Sequence, residues 1–189
     1  MTDNVIIIPT RLEATRLPNK PIKKINNKEM ILHVYEAAKK ANIGDVIVAS
    51  PNQQIFELIT SVKGICVKTK PDHRTGTDRI FEVYETFLKK KPKIIINLQG
   101  DMPNIDPSNI QMLSSYMKKN LCDIATLASK FTNEKEIENT NNVKVITKKA
   151  LSNNQFDEAI DFFRKIENEK KRYIYHHIGI YAFTKEALL

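Results

Sequence analysis

Short, wholly apolar runs recur along the chain, each bounded by polar residues. Val5-Ile6-Ile7-Ile8, Val46-Ile47-Val48-Ala49 and Ile94-Ile95-Ile96 show no alternation of polar and apolar positions. Such β-branched runs fit strands buried on both faces, as in a parallel sheet. Ile65-Cys66-Val67 and Ile124-Ala125-Thr126-Leu127 are weaker versions of the same signal. Between them, apolar groups fall at helical spacing over residues 30–38, with Gly44 as the expected stop, and over 54–62, ending before Gly64. Thr77-Asp78 is expected to cap a helix reaching about Leu88, and Asp106-Pro107-Ser108 to open one reaching about Lys118. Strand and helix alternate, which predicts an α/β fold with a mostly parallel sheet and helices on both faces.

The last third reads differently. A short helix is expected within the polar segment 134–142, and strands at 143–146 and 159–163 flank a polar connection. Residues 165–172 read as an exposed charged loop, and 173–183 as strand interrupted at Gly179. Thr184 caps a final helical turn. At 189 residues the chain suits a single domain, with residues 1–130 as its sheet-forming part and 131–189 as a smaller β-rich part.

Apolar residues make up 41% and charged residues 28%, which excludes a collagen, a disulfide miniprotein and a disordered chain. Thirty Lys and Arg against 22 Asp and Glu give a net charge of +8. That balance suits an anionic partner, although runs such as Lys89-Lys90-Lys91 read equally as solvated surface. Cys66 and Cys122 lie far apart with no CxxC neighbour, so a zinc or redox site is not expected, and the protein reads as reduced and cytoplasmic. The start MTDNVIIIPTR does not read as a signal peptide, so none is expected, and no apolar run approaches the roughly 18 residues of a membrane span.

Three polar segments carry candidate chemistry. The connection after the first strand, from Pro9 to Pro21, is long and holds Arg11, Arg16 and Lys20 on a backbone stiffened by prolines. Long ordered loops at the carboxyl end of a parallel strand are where ligands bind. The cations suit a polyphosphate, but the loop matches neither GxxxxGK[ST] nor GxGxxG. Leu98-Gln99-Gly100-Asp101 follows another buried strand and offers a carboxylate for Mg²⁺ carried by a phosphate ligand. Asp106 fits the capping role better, which leaves Asp101 for a metal. Asp72-His73-Arg74-Thr75-Gly76-Thr77-Asp78-Arg79 offers amide groups, hydroxyls and arginines at a helix start. Plain capping by Thr77 and Asp78, and pairing of Asp72 and Asp78 with the arginines, explain that segment equally well. His176-His177 sit on adjacent strand positions facing opposite sides, so the two do not readily share one metal.

These segments together resemble the 3-deoxy-D-manno-octulosonate (Kdo) cytidylyltransferases. IIPTRLEATRLPNKPI is similar to that family's IIPARxxSxRLPxKP signature, DHRTGTDR to DHxSGTxR, and NLQGDMP to NxQGDEP with Met102 in place of Glu. NNVKVIT, AIDFFRK and HHIGIYAF resemble its NAVKVV, ALYFSRA and HLGIYGY segments, in order along nearly the whole chain. The resemblance implies a Rossmann-like nucleotidyltransferase sheet with a smaller sugar-binding and dimerisation part. It implies Mg²⁺-dependent transfer of CMP from CTP to Kdo, releasing pyrophosphate, in lipopolysaccharide biosynthesis. Arg11, Arg16, Lys20 and Asp101 become catalytic, with Asp101 on the metal. CTP would be bound by Thr10, Arg11, Arg16, Lys20, Arg74, Thr75, Gly76, Thr77, Gln99 and Gly100. Kdo would meet Arg164, His177 and Tyr181. The expected partners are CTP and Kdo, with a homodimer in the complete protein and neither nucleic acid nor membrane.

The family pattern continues beyond Leu189 with a second metal carboxylate, a sugar-contacting helix and much of the dimer interface, so the resemblance implies a chain short of these. Two alternatives stay open. One is a cytidylyltransferase for another sugar acid, such as an amino-modified Kdo or a sialic acid, which would share the phosphate site. The other is a basic nucleotide- or RNA-binding module, against which stands the lack of an RNP or KH motif or an aromatic platform.

Overall fold

A computed structural model describes residues 3–13, 17–119, 122–153, 155–165 and 173–189. Arg16 and most of the expected charged loop at 165–172 lie outside these. The chain forms two compact units, residues 1–125 with 180–189, and residues 126–179. The first begins with β1 (Asn4–Pro9), a 3-10 turn at Lys20–Ile22 and a small hairpin of β2 (Lys24–Ile25) and β3 (Lys28–Glu29). It continues through α1 (Met30–Ala41), β4 (Asp45–Ser50), α2 (Gln53–Ser61), β5 (Ile65–Lys68), α3 (Gly76–Thr86), β6 (Ile94–Asn97) and α4 (Pro107–Lys119). β7 (Ile124–Ser129) leads into the second unit, which holds α5 (Glu134–Glu138), β8 (Lys144–Thr147), β9 (Ala159–Phe163) and the first part of β10 (Tyr173–Thr184). The end of β10 and the single turn α6 (Lys185–Leu188) belong to the first unit.

In the first unit the strands run β5-β4-β1-β6, all parallel, and the end of β10 joins β6 antiparallel. β1 lies at the centre, with Ile6, Ile7 and Ile8 fully buried. Val5 and Ile7 pack with Ile47, Ile95 and the Ile80, Val83 and Tyr84 side chains of α3. Each such burial contributes about 1.5–3 kcal/mol. The two-residue strand period turns Asn4, Ile6 and Ile8 to the other face. There the Asn4 amide donates to the Ser114 hydroxyl of α4 at 3.0 Å and to the Ile43 carbonyl at 3.1 Å. Gln111 of α4 donates to the Ala41 carbonyl at the end of α1. Helices therefore cover both faces, as the alternation of runs predicts.

Local details differ from the sequence reading. The stop for α1 is Asn42, at φ 49°, rather than Gly44. An asparagine reaches the left-handed region at small cost because its short side chain bonds locally. The cap of α3 is Thr75, not Thr77. The Thr75 hydroxyl accepts from the Asp78 amide and the Asp78 carboxylate accepts from the Thr75 amide, a reciprocal box. Asp106 accepts from the Ser108 amide at the start of α4, as expected. β10 runs unbroken through Gly179. In the second unit β8 lies between β9 and the first part of β10, antiparallel to both.

Neither cysteine is in a disulfide, and burial pushes the Cys66 thiol up to about 12. Among the described residues no helix is long and apolar enough to cross a membrane.

Tyr84 is fully buried under the sheet, and among the described residues its hydroxyl has no hydrogen-bond partner. A buried hydroxyl in that position costs about 1–3 kcal/mol. Tyr84→Phe is therefore expected to leave stability unchanged or raise it by up to that amount, read from urea denaturation. A clear loss would show that the hydroxyl is satisfied.

Candidate active site

The carboxyl ends of the neighbouring parallel strands β1 and β6 open beside the start of α3 onto a cavity of about 270 Å³. Three chain segments meet there with almost no space between them. The Gly100 amide donates to the Pro9 carbonyl at 3.3 Å, and the Thr10 amide to the Ala49 carbonyl at 3.0 Å. A Cβ at Gly100 would lie 2.9 Å from the Thr10 Cβ and 3.1 Å from the Pro9 carbonyl oxygen. One at Gly76 would lie 3.1 Å from Pro9 Cγ and 3.3 Å from Gln99 Oε1. At Gly100 a side chain would force these walls apart, whereas at Gly76 the Pro9 and Gln99 side chains would have to give by only a few tenths of an ångström.

The loop after β1 is closed by local bonds. The Asn19 amide donates to the Leu12 carbonyl, the Leu12 amide to Asn52 Oδ1, and the Asn52 amide nitrogen to the Glu13 carboxylate. The Asn52 bond, with Arg11 and Arg79 nearby, holds the Glu13 carboxyl below its ordinary range. Asn19 takes a left-handed conformation, φ 58°, and Pro21 is buried in the 3-10 turn that presents Lys20. Lys20 Nζ lies 2.8 Å from Asp101 Oδ2, with the two side chains 36% and 55% exposed. An ion pair this open contributes about 0–1 kcal/mol, so a polyanion can displace it. Arg11 and Arg74 line the same cavity from exposed positions. Arg79 lines it from a buried one, donating to the Thr69 hydroxyl and to the Lys70 carbonyl. Burial and the Arg11 charge lower its pKa.

Of the expected nucleotide residues, the cavity gathers Thr10, Arg11, Lys20, Arg74, Thr75, Gly76, Gln99 and Gly100, together with the expected metal residue Asp101. Thr77 is not in the lining, because the true cap is Thr75 and the Thr77 hydroxyl accepts from the Asn97 amide at 3.4 Å. Arg16 lies outside the described residues. Arg79 donates to Thr69 and Lys70 rather than to Asp78, which serves the capping box, and Asp72 acts on it only as a nearby charge.

The sequence reading did not single out His73 or Glu82. His73 lines the cavity, and its Nε2 meets the Glu82 carboxylate, which also accepts from the Lys70 amide. Burial alone would raise the Glu82 pKa, but those bonds hold it below its ordinary value. Glu82 sits on α3, and only the fold brings it to His73.

The expected sugar residues are spread over both units. In the second, Arg164 donates from Nη1 to the Thr140 and Asn141 carbonyls at 3.3 and 3.2 Å. There too, His177 is buried, with Nε2 2.9 Å from the Thr126 hydroxyl and its ring edge-on to Phe162. Burial and the neighbouring His176 lower its pKa. Tyr181 lies in the first unit opposite Asn97, stacked on Phe183, and burial raises its pKa.

Among the described residues no three His, Cys, Asp or Glu side chains cluster as a metal site. The donor set around Asp101 fits Mg²⁺ only as a one-carboxylate site completed by water and ligand oxygens.

The parallel α/β sheet and its basic strand-end cavity are those of a nucleotidyltransferase. The model of the cytidylyltransferase family matches residues 5–189. The 3-deoxy-manno-octulosonate cytidylyltransferase of Bartonella henselae is 40% identical over 185 residues, 97% of this chain and 75% of the relative. That of Brucella canis is 38% identical over 186 residues, 96% of this chain and 72% of the relative. The solved CMP:2-keto-3-deoxy-manno-octonic acid synthetase complexed with CTP superposes with a TM-score of 0.84 at 33% identity, covering 98% of this chain and 75% of that one. The chain belongs to the 3-deoxy-manno-octulosonate cytidylyltransferase family.

Two outcomes follow from this geometry. Gly100→Ala should weaken nucleotide binding by roughly 10-fold or more, read by calorimetry with CTP, because the Thr10 and Gly100 walls must separate. An unchanged affinity would show that the close approach does not shape the cavity. The Glu82 carboxyl has a lowered folded pKa, so its contribution is present above about pH 4.5 and is lost as pH falls further. The stability of the parent should therefore drop more steeply than that of Glu82→Gln below that pH. Parallel acid limbs would remove the pair from the acid response.

Proposed function

We propose that the protein transfers CMP from CTP to the anomeric hydroxyl of Kdo, with release of pyrophosphate, as a step of lipopolysaccharide biosynthesis. The observation that carries this is the open Lys20–Asp101 pair among Arg11, Arg74 and Arg79 at the ends of β1 and β6. It is a phosphate site whose cations are held ready but only weakly neutralised. The sugar hydroxyl attacks the α-phosphorus, its proton passes to solvent water, and the bond from the α-phosphorus to the pyrophosphate oxygen breaks. Arg11, Arg16 and Lys20 hold the triphosphate and stabilise the charge gathering on the leaving pyrophosphate. Arg74, Thr75, Gly76 and Gln99 meet the cytidine. Arg164, His177 and Tyr181 meet the sugar acid, the arginine pairing with its carboxylate. With Lys20 paired to the phosphates, Asp101 would hold Mg²⁺, which when bound would neutralise phosphate charge. The protein works in the cytoplasm as a homodimer.

The test is pyrophosphate release with CTP, the other nucleoside triphosphates and a panel of sugar acids. Turnover is expected with CTP and Kdo. Turnover with a different sugar acid alone would reassign the acceptor. Salt-sensitive RNA binding without CTP binding would overturn the reading. Lys20→Ala is expected to lower kcat/KM for CTP by about 10²-fold or more, since a charge-assisted phosphate contact strengthening in the transition state is worth roughly 2–4 kcal/mol. Asp101→Asn should remove Mg²⁺-dependent turnover while the fold remains. Near-normal turnover of that variant at low Mg²⁺ would show that Asp101 is not the ligand.

A further inference from the structure

Lys144 is the first residue of β8 and is completely buried. Its ammonium donates to the carbonyls of Asn139 at 2.7 Å, Asn142 at 3.0 Å and Arg164 at 2.8 Å. Those bonds match the three donors of an ammonium. Arg164 returns to the same turn, with Nη1 donating to the carbonyls of Thr140 and Asn141. Two cations thus take up all four carbonyls of residues 139–142, and none of these bonds goes to a carboxylate. Burial, with Arg164 nearby, lowers the Lys144 pKa. A buried charge without a counter-ion is a costly way to join two strands, and an apolar residue of similar size does that more cheaply. What the ammonium adds is a fixed position for one particular stretch of backbone: the turn and the carbonyl of Arg164.

We infer that Lys144 is a positioning residue for Arg164, holding its backbone and its guanidinium against the turn 139–142 for capture of the substrate carboxylate. This rests on the reading of Arg164 as the group that pairs with the sugar acid. Among the described residues the bonds of Arg164 all start from Nη1. Nε and Nη2 keep their donors for a carboxylate, and a guanidinium fixed in advance loses less freedom on binding.

Lys144→Ala removes a propylammonium group, so added n-propylammonium can refill the space beneath the carbonyls. In the pyrophosphate assay Lys144→Ala should raise the KM for Kdo roughly 10-fold or more while the KM for CTP stays within about 2-fold. Amide hydrogen exchange of residues 139–142 should quicken. Propylammonium, but not tetramethylammonium, should reverse both changes. Lys144→Met, which fills the volume without the charge, should show the same KM split with no rescue, and it carries the test if the alanine variant does not fold. Equal rises in both KM values would overturn the proposal, as would an unchanged KM for Kdo beside faster exchange. Arg164→Gln separates the two readings. If it leaves the KM for Kdo unchanged, the carboxylate role of Arg164 fails, whereas propylammonium-reversible exchange at 139–142 would still show the clamp.

Discussion

The close approach of the β1 end to the β6 end sets the rest of the first unit's chemistry. β1 and β6 are bonded neighbours, and the Gly100 amide continues their ladder one step past the strands onto the Pro9 carbonyl. Any side chain at Gly100 would meet Thr10 at 2.9 Å, so the two strand ends close only on a glycine. With them closed, Asp101 and Lys20 fall within ion-pair distance although 81 residues apart in the chain. Gly76 approaches from the side of α3, less tightly, against the Pro9 and Gln99 side chains. The cavity is therefore a consequence of backbone contact, and its charged groups are mounted on its rim.

The cations divide into two kinds. Lys20 is partly open to solvent and shares its charge with a more open carboxylate, so it can change partner when a phosphate arrives. Arg79 is buried and held by the Thr69 hydroxyl and the Lys70 carbonyl, so its place is set by the fold. The His73 ring is likewise held in place, by the Glu82 carboxylate. A site built this way keeps its shape while its outer charges exchange, which suits a reaction that binds one polyanion and releases another.

The parallel sheet was legible because its central strands are unbroken apolar runs, and only burial on both faces accommodates them. The cavity was largely legible because its residues lie in three continuous segments placed directly after strands or before a helix. What was missed has local causes. Two candidate caps two residues apart, Thr75 and Thr77, are both good by composition, and only the Asp78 box distinguishes them. Asn42 outcompeted Gly44 as the turn because a left-handed asparagine was already available. His73 and Glu82 are joined by the geometry of α3 against the preceding loop, which no spacing rule announces. Lys144 is one polar position in the strand expected at 143–146, and only its three carbonyl partners in the fold reveal it as a buried cation.

Arg79 and Lys144 share a feature that bears on function. Each is a buried cation in its own unit, and each is satisfied by neutral oxygens: a hydroxyl and a carbonyl for Arg79, carbonyls alone for Lys144. A carboxylate partner would bind either more strongly, but it would cancel the positive charge within its own neighbourhood. At Lys144 the neutral acceptors satisfy the donors and leave the field standing, whereas at Arg79 the charges of Glu82, Glu13 and Asp72 offset part of it. In a chain of net charge +8, a buried cation held by neutral oxygens adds to the positive potential that meets an incoming anion.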